Sequence, residues 1–355
     1  MTPFSICIIA KNEEKHILPL FTSIQEHLKD YPHEVIFVDT GSTDHTKELA
    51  SEYTDKVYDF TWINDFSAAR NFSISKASYD WILVLDCDEY ITDFNSHAID
   101  NFISAAPNGI GMISRLDQYR HGDLNYISNE KIPRFFSRKY FHYEGIIHEQ
   151  VFSLNNHTFQ RFFLPLTLSH VGYIGTEEEL KQKAERNIFL LEKMLETNPN
   201  DTYTYFQLGQ SYNSIQDIEK ACFYYGKGLE YEVNPKLQYV QSMVIGYGYS
   251  LINLNRQEEA LGFESIYDEF DSSADFVCLM GLIYLKNGFI LEAIREFTKA
   301  TTLNTSFVNG SNSFIPTYNL GCIHEVLGEI DDAIELYRKC GDFKPALDRL
   351  KEILR

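Results

Sequence analysis

The chain has 355 residues, a formal net charge of −20 at pH 7, and 44% hydrophobic and 14% aromatic residues. This length predicts about two domains that each have a core of their own, and the hydrophobic content excludes a disordered chain. The strong negative charge argues against nucleic acid or an anionic membrane surface as the main partner.

Cysteine usage and hydropathy predict the cellular compartment. The six cysteines are scattered without a C-x-x-C pair, which is typical of reduced thiols and not of disulfides or a zinc site. The sequence has no apolar run of roughly 18 residues or more, and hence no predicted membrane span. The first predicted strand begins too close to Met1 to leave room for a signal peptide. We therefore expect a soluble, cytoplasmic protein.

The first half alternates apolar strands with helices. Four short apolar runs have the length and composition of buried strands: Phe4–Ala10, Glu34–Val38, Val57–Phe60 and Trp81–Leu85. After the first run, apolar residues recur at helical spacing from Ile17 to Leu28. Strands and helices that alternate with such short loops predict right-handed parallel crossovers in a Rossmann-like sheet.

An acidic cluster follows the fourth predicted strand. Asp86, Asp88 and Glu89 surround Cys87 directly after the apolar run. Carboxylates at alternate positions place two oxygen ligands on one side of the chain, which suits a hard divalent cation that holds a diphosphate. A solvated acidic turn explains this pattern about as well, so the neighbouring loops decide.

Two of these loops contain groups that a nucleotide requires. Asp39, at the end of its strand, can accept hydrogen bonds from a base N–H or a ribose hydroxyl. Arg70, near the start of a helix, can pair with phosphate or fix the base-binding loop. Helix capping and surface ion pairing are equally good interpretations of these two residues. The sequence has neither G-x-G-x-x-G nor the P-loop pattern, which disfavours a dinucleotide enzyme and a P-loop NTPase.

Four motifs occur in a fixed order: I-A-K-N-E-E from Ile9, V-D-T-G-S-T-D-H-T from Val38, N-D-F-S-A-A-R-N from Asn64 and L-D-C-D-E from Leu85. Together they resemble the family 2 glycosyltransferases, which are inverting enzymes of the GT-A fold that use nucleotide sugars. The resemblance covers residues 4–175.

By position, the resemblance implies a role for each motif. It implies Asp39 at the nucleotide base, Arg70 near the nucleotide, and Asp86 with Asp88 as the metal-binding acidic motif, in which Asp88 is the direct ligand. Residues from the same motifs are also expected around the nucleotide: Ala10, Asn12, Glu13 and Asp65. The implied donor is a UDP-sugar and the implied cation is Mn²⁺ or Mg²⁺.

The acceptor side departs from the larger family. Many members have a Glu-Asp pair there, with the Asp as base, whereas His148-Glu149 stands in that place. This variant resembles the branch that contains lipopolysaccharide-core sugar transferases and the peptide glycosyltransferases of glycocin biosynthesis. Inverting transfer needs one general base; Glu149 is the first candidate and His148 the second, and a packed structural histidine is the alternative for His148. His170 closes an apolar run and is expected either at the metal or diphosphate or in a structural role.

The second half is helical and repetitive. One long helix is predicted over Glu177–Glu196, with Thr176 as its cap, and Asn198–Asp201 ends it. A Gly and an Ala then recur at constant separation in four segments: Gly209 with Ala221, Gly248 with Ala260, Gly281 with Ala293 and Gly321 with Ala333. A period near 34 residues resembles tetratricopeptide repeats, and the second repeat is the weakest because Glu264 replaces an aromatic residue.

We therefore expect an α/β GT-A domain over residues 1–175, a linking helix over 176–200, and an all-α tetratricopeptide-like solenoid over 201–355. The implied activity is metal-dependent, inverting transfer from a nucleotide sugar. A solenoid binds extended polypeptides, which favours a peptide or protein acceptor with a Ser or Cys side chain. A cell-envelope glycan or lipopolysaccharide-type acceptor and a non-catalytic repeat scaffold are the alternatives, and a homodimer through the repeats is left open.

Overall fold

The computed structural model describes residues 1–121, 124–155, 158–172, 176–304 and 306–354. The chain divides into two compact units, Met1–Lys183 and Ala184–Arg355. The first unit is built on a β-sheet with flanking helices, and the second is made of helices. The predicted order of an α/β domain followed by helical repeats is confirmed.

Ten strands lie within the described part of the first unit: β1 (Phe4–Ala10), β2 (His33–Asp39), β3 (Val57–Asp59), β4 (Trp81–Asp86), β5 (Glu89–Phe94), β6 (Ile110–His121), β7 (Leu124–Ser137), β8 (Phe141–Glu144), β9 (Gln150–Ser153) and β10 (Arg161–His170). The helices of this unit are α1 (Glu14–Leu28), α2 (Thr46–Ala50), α3 (Phe66–Lys76) and α4 (Ser96–Ala105).

The main sheet has eight strands in the order β3-β2-β1-β4-β7-β6-β10-β5, and β8 pairs with β9 in a separate two-stranded ribbon. The β3-β2-β1-β4 part is parallel, as the alternation of strands and helices predicts. Beyond β4 the sheet becomes mixed, because β7 is antiparallel to both β4 and β6, while β10 is parallel to β6 and antiparallel to β5. The acidic cluster begins at the end of β4, and four of the later strands, β5, β6, β7 and β10, join the same sheet as β4.

Both faces of the parallel part are covered. Alternate residues of β1 point to opposite sides, so that Ile6 and Ile8 pack with α1 residues such as Leu20, whereas Cys7 packs with Ile74 of α3. A strand that is apolar on both faces is expected where helices cover both sides of a sheet. Burial of this sheet holds its carboxyl edge in place.

The second half begins with α5 (Glu177–Thr197), where Thr176 and Glu179 form a capping box: the Glu179 amide donates to the Thr176 hydroxyl, and the Thr176 amide donates to the Glu179 carboxylate. The helices that follow are α6 (Thr202–Ser214), α7 (Ile218–Leu229), α8 (Gln238–Asn253), α9 (Gln257–Ala260), α10 (Tyr267–Phe270), α11 (Ala274–Lys286), α12 (Ile290–Ala300), α13 (Phe314–Val326), α14 (Ile330–Lys339) and α15 (Lys344–Ile353), with a 3₁₀ helix at Leu261–Ile266.

The repeat glycines lie where paired helices approach closely. A Cβ atom at Gly209 would come within 2.3 Å of the Tyr225 ring, and one at Gly281 within 2.7 Å of the Phe297 ring. The second repeat is different, since its second helix is broken into α9, the 3₁₀ helix and α10. Its Gly248 abuts Leu279 of the next repeat. The repeat with the weakest sequence pattern is therefore also the irregular one.

Candidate active site

Three of the predicted nucleotide-side residues meet at the carboxyl edge of the parallel strands. Ala10 of β1 lies opposite Asp39 of β2, and Ile9 lies opposite Asp86 of β4. Ligands of open α/β sheets bind at this edge. The strand register thus brings together residues that lie up to 76 positions apart in the sequence.

The loop after β1 is tied to the loop after β2. The Asn12 amide donates to the Ser42 hydroxyl at 2.9 Å, and the Thr43 amide donates to the Asn12 side chain at 2.8 Å. The Glu13 amide donates to the Thr46 hydroxyl at 2.7 Å. Asn12 has a positive φ of 57°, a conformation that Asn tolerates better than most residues. These bonds hold both loops in one arrangement before any ligand arrives.

Asp39 and Asp65 are both engaged with backbone amides. The Asp39 carboxylate is buried and accepts from the amides of Gly41 and Ser42, each at 3.0 Å. Asp65 is the N-cap of α3 and accepts from the Ala68 amide at 2.9 Å. A carboxylate has more acceptor positions than these bonds use, so both side chains keep capacity for a ligand.

Arg70 joins the acidic motif to the acceptor-side pair. Its buried guanidinium donates to Oδ1 of Asp86 at 2.8 Å and to the carboxylate of Glu149. Arg134 of β7 donates to the other oxygen of Asp86 at 2.8 Å and to Glu89 at 3.0 Å. Burial acts to raise the pKa of Asp86, but the charges and hydrogen bonds of the two arginines outweigh it and hold that pKa well below its usual range. Both oxygens of Asp86 are therefore held by arginine.

Asp88 faces His170 across the end of the sheet. Nε2 of His170 lies 3.5 Å from Oδ2 of Asp88, and Nδ1 of His170 lies 2.6 Å from Oδ1 of Asp117. Burial would lower the pKa of His170, but its hydrogen bonds to Asp117 and Asp88 raise it to about 9. The backbone of Gly172 lies directly beside this pair. A Cβ atom at this position would be 2.2 Å from Oδ2 of Asp88, so only glycine fits without displacing a side chain. A carboxylate and an imidazole thus converge where the backbone leaves room.

Two further charges surround Asp88. Burial and the charge of Asp88 raise the pKa of Glu13 to about 7. Nζ of Lys183 lies 3.7 Å from Oδ2 of Asp88 and donates to the Gly172 carbonyl at 3.4 Å. Asp88 thus has a second acid, Glu13, and an ammonium group, that of Lys183, beside it.

His148 and Glu149 lie in the loop between β8 and β9. This loop turns at Gly145, which has a φ of +101°, and His148 also has a positive φ of 51°. The Phe66 amide at the start of α3 donates to the Ile146 carbonyl at 2.9 Å. Desolvation by neighbouring protein atoms lowers the pKa of His148, although the charge of Glu149 opposes this. His148 as a whole residue is exposed, and Glu149 is partly buried.

Comparisons with protein families identify each half of the chain separately. Residues 5–150 match the profile of the family described as glycosyl transferase family 2. The N-terminal unit contains a family 2 glycosyltransferase domain. Residues 202–232 and 318–346 match the tetratricopeptide repeat profile, which confirms the predicted repeats in the first and fourth segments.

Two curated relatives match about two thirds of this chain at 28% identity. The SPbeta prophage-derived glycosyltransferase SunS of Bacillus subtilis (strain 168) is 28% identical over 251 residues, which are 69% of this chain and 58% of SunS. The TPR repeat-containing protein Synpcc7942_0270 of Synechococcus elongatus is 28% identical over 239 residues, 65% of this chain and 57% of that protein. The chain thus spans less than three fifths of the length of these curated relatives.

Among solved structures, the crystal structure of MamA is 18% identical, with a TM-score of 0.38, and the match covers 51% of this chain and 97% of MamA. No helix in the described residues is long and apolar enough to cross a membrane.

Sequence reasoning missed three residues around the site of the glycosyltransferase domain. Arg134 was visible in R-F-F-S-R but had no assigned role, and neither Asp117 nor Lys183 belongs to a family motif. Only the pairing of β6 with β10 brings Asp117 to His170, and local sequence contains no signal for that pairing. The roles of the predicted nucleotide, metal and base residues stay predictions.

Proposed function

We propose that the glycosyltransferase domain transfers a sugar, with inversion, from a UDP-sugar to a Ser or Cys side chain of a peptide or protein, with a divalent cation as cofactor. The observation that carries the proposal is the convergence of Asp88 and His170 at the sheet edge where Asp39 also ends its strand. The family match supports the reaction class. The carboxylate of Asp88 and the imidazole of His170 are both metal-ligand groups, which supports a cation as cofactor.

Asp88 and His170 would hold the cation. A carboxylate oxygen suits both Mg²⁺ and Mn²⁺, whereas an imidazole nitrogen is a ligand that transition metals prefer. Of the two expected ions, Mn²⁺ therefore fits this pair better. When bound, the cation would neutralise charge that develops on the leaving diphosphate.

The remaining groups belong to the chain itself. Asp39 would bind the base through the acceptor positions that its backbone bonds leave unused. The oxygen or sulfur of the acceptor forms a bond to the anomeric carbon while the bond from that carbon to the diphosphate oxygen breaks. The acceptor proton passes to Glu149, whose carboxylate Arg70 holds in place, or to His148. The diphosphate leaves with the bonding electron pair.

The repeats support a polypeptide acceptor. Stacked helical repeats form extended surfaces that bind extended chains, and the close helix packing at Gly209 and Gly281 makes such a stack. A cell-envelope glycan remains the second acceptor class that an assay must separate from a peptide.

The first experiment measures nucleotide release from a panel of nucleotide sugars, with and without Mn²⁺ or Mg²⁺. We compare wild type with Asp88→Ala and with Asp80→Ala, a control that removes a half-exposed aspartate just before the other end of β4. Cation-dependent release from a UDP-sugar that is lost only in Asp88→Ala supports the proposal. Full cation-dependent release in Asp88→Ala, or no binding of any nucleotide sugar by calorimetry, would overturn it.

The acceptor is then sought by mass spectrometry. Peptides that contain Ser or Cys are incubated with the enzyme and the donor, in parallel with a lipopolysaccharide-core oligosaccharide. A gain of one hexose mass on the peptide supports the first acceptor class. A gain on the oligosaccharide alone would replace it with the second.

A further inference from the structure

Strand register places His170 between two acidic residues. β10 lies between β6 and β5, and His170 lies opposite Asp117 of β6 and Glu89 of β5. The register of β10 against β6 shifts between Phe163 and Thr167. Without this shift Tyr119, not Asp117, would lie opposite His170. An irregularity of this kind redirects side chains next to a site.

Asp117 binds the Nδ1 side of the His170 imidazole, away from Asp88. Its carboxylate is almost completely buried, and its Oδ1 lies 2.6 Å from Nδ1 of His170. Arg115 pairs with the same carboxylate, with its Nε at 2.7 Å from Oδ1 and its terminal nitrogen at 3.1 Å from Oδ2. The Arg115 guanidinium therefore neutralises the charge of Asp117, and Oδ1 of Asp117 still accepts from Nδ1 of His170.

This arrangement determines what His170 presents to the site. A carboxylate that accepts from Nδ1 keeps the proton on that nitrogen, so Nε2 is the nitrogen that gives up its proton and offers a lone pair when a cation binds. Nε2 is the atom that faces Asp88 at 3.5 Å. A carboxylate behind a histidine is a common way to fix the tautomer and ring orientation of a metal ligand.

We propose that Asp117, supported by Arg115, is a positioning residue that holds His170 with Nε2 directed at a divalent cation shared with Asp88. This inference rests on the cation site of the proposed function. Asp117 is not itself a ligand, because its two oxygens are bound by His170 and Arg115.

The test is the affinity for Mn²⁺, which electron paramagnetic resonance follows through the signal of the free ion, with and without UDP. We expect Asp117→Ala to raise the Kd for Mn²⁺ by about 10- to 100-fold, and Asp117→Asn to raise it less, because the amide oxygen can still accept from Nδ1. The matched control is Ser169→Ala, which removes the 2.6 Å bond from Gln118 between the same two strands. This control should bind Mn²⁺ as wild type does.

A second measurement reads the imidazole directly. Long-range ¹H–¹⁵N spectra of histidine-labelled protein are recorded without Mn²⁺ above about pH 9, where the His170 imidazole is neutral. With the His170 signal assigned through His170→Gln, they should show the proton on Nδ1 in wild type and in Ser169→Ala. In Asp117→Ala this preference should be lost. If Asp117→Ala does not fold, Asp117→Leu, which fills a similar volume but cannot accept from Nδ1, carries both measurements.

The outcomes separate this inference from the proposed function. Equal Mn²⁺ affinity in wild type and the folded Asp117 variant would overturn the positioning role while leaving the cation site intact. If wild type binds no Mn²⁺ with UDP, the cation site of the proposed function fails. In that case the position of the imidazole proton tests the role of Asp117. If the proton stays on Nδ1 in the variant, the inference is overturned. If the proton moves, Asp117 orients His170.

Discussion

Gly172 lies so close to Asp88 that a Cβ atom at position 172 would be 2.2 Å from Oδ2 of Asp88 and 2.5 Å from Nε2 of His170. No ordinary contact with a Cβ atom is that short, so Gly172→Ala must push the two side chains apart. We expect this variant to lose at least about tenfold in Mn²⁺ affinity, the range seen when the surroundings of metal ligands are disturbed.

Calorimetric titration with Mn²⁺ and UDP measures this loss. Circular dichroism verifies that Gly172→Ala is folded, and Ser169→Ala, near the end of the preceding strand β10, serves again as the control. Wild-type affinity in a folded Gly172→Ala protein would mean that the cation does not bind between Asp88 and His170.

The base is predicted to be Glu149. Glu149→Gln removes a proton acceptor but retains a side chain that can still contact Arg70, so we expect donor affinity to change little. Turnover with acceptor should fall about 10²- to 10⁴-fold, the usual contribution of a general base. Binding of UDP by calorimetry and transfer by mass spectrometry measure the two effects separately.

His148 provides the comparison for this prediction. His148→Ala should leave transfer within a small factor of wild type if Glu149 is the base. A large loss in His148→Ala, together with near-normal turnover in Glu149→Gln, would assign the proton to the imidazole instead.

Asp86 is expected to matter for stability as well as for the site. Asp86→Asn removes a partly buried negative charge between the buried guanidinium groups of Arg70 and Arg134. Breaking a buried pair by removing one partner leaves an uncompensated charge and costs about 3–5 kcal/mol. Asp86→Asn should therefore unfold the first unit at a lower urea concentration than wild type does.

Asp80 is the matched control for this effect. Its carboxylate pairs with Lys139 at 2.7 Å, but the lysine is exposed and the aspartate is about half-exposed, and pairs open to solvent contribute about 1 kcal/mol or less. We therefore expect Asp80→Asn to shift the transition much less. Equal shifts in the two variants would show that the Asp86 network adds no more than a surface ion pair does.

The parallel part of the sheet could be predicted from sequence because its signals are local. β1 has the predicted bounds, and β2, β3 and β4 differ from prediction by one residue at most at either end. Each is an apolar run between polar loops, and residues at the strand ends, such as Asp39, follow directly from the strand positions.

The rest of the sheet and site depends on pairing between distant segments. β7 inserts between β4 and β6, and β10 inserts between β6 and β5. The pairing of β4 with β7 and the pairings of β10 with β6 and β5 each join residues more than 40 positions apart, which no local pattern contains. No sequence motif therefore predicts that Arg134 contacts Asp86 or that Asp117 contacts His170.

Acid should destabilise the first unit partly through Glu34. Burial raises the pKa of this carboxyl, but hydrogen bonds from Lys56, Ser5 and the Ser78 amide outweigh it and lower the pKa to about 2. A folded-state pKa below the unfolded one means that the stabilisation is fully present above about pH 4.5. It is lost as the pH falls from there towards 2.

Glu34→Gln tests this pH dependence. The variant should be less stable than wild type at pH 7, and the difference should shrink as the pH falls below about 4.5. Urea unfolding at several pH values measures it. A difference that stays constant between pH 7 and pH 3 would contradict a lowered pKa for Glu34.

The helix packing of the repeats gives the final prediction. A Cβ atom at Gly281 would lie 2.7 Å from the ring of Phe297, whereas one at Gly262 would meet nothing within 4 Å. Although Ala favours helix over Gly by up to about 1 kcal/mol, overpacking in a close-packed interior costs about 1–3 kcal/mol. We expect Gly281→Ala to lower the free energy of unfolding of the repeats, and Gly262→Ala to leave it unchanged or raise it.

A double variant isolates the cause. Phe297→Leu alone should be destabilising because it leaves a cavity, but combined with Gly281→Ala it should cost less than the two single changes together, since the smaller side chain leaves room for the new methyl group. Unfolding of the four proteins in urea gives the coupling energy directly. Strict additivity would mean that Gly281 is not needed for the close approach of α11 and α12.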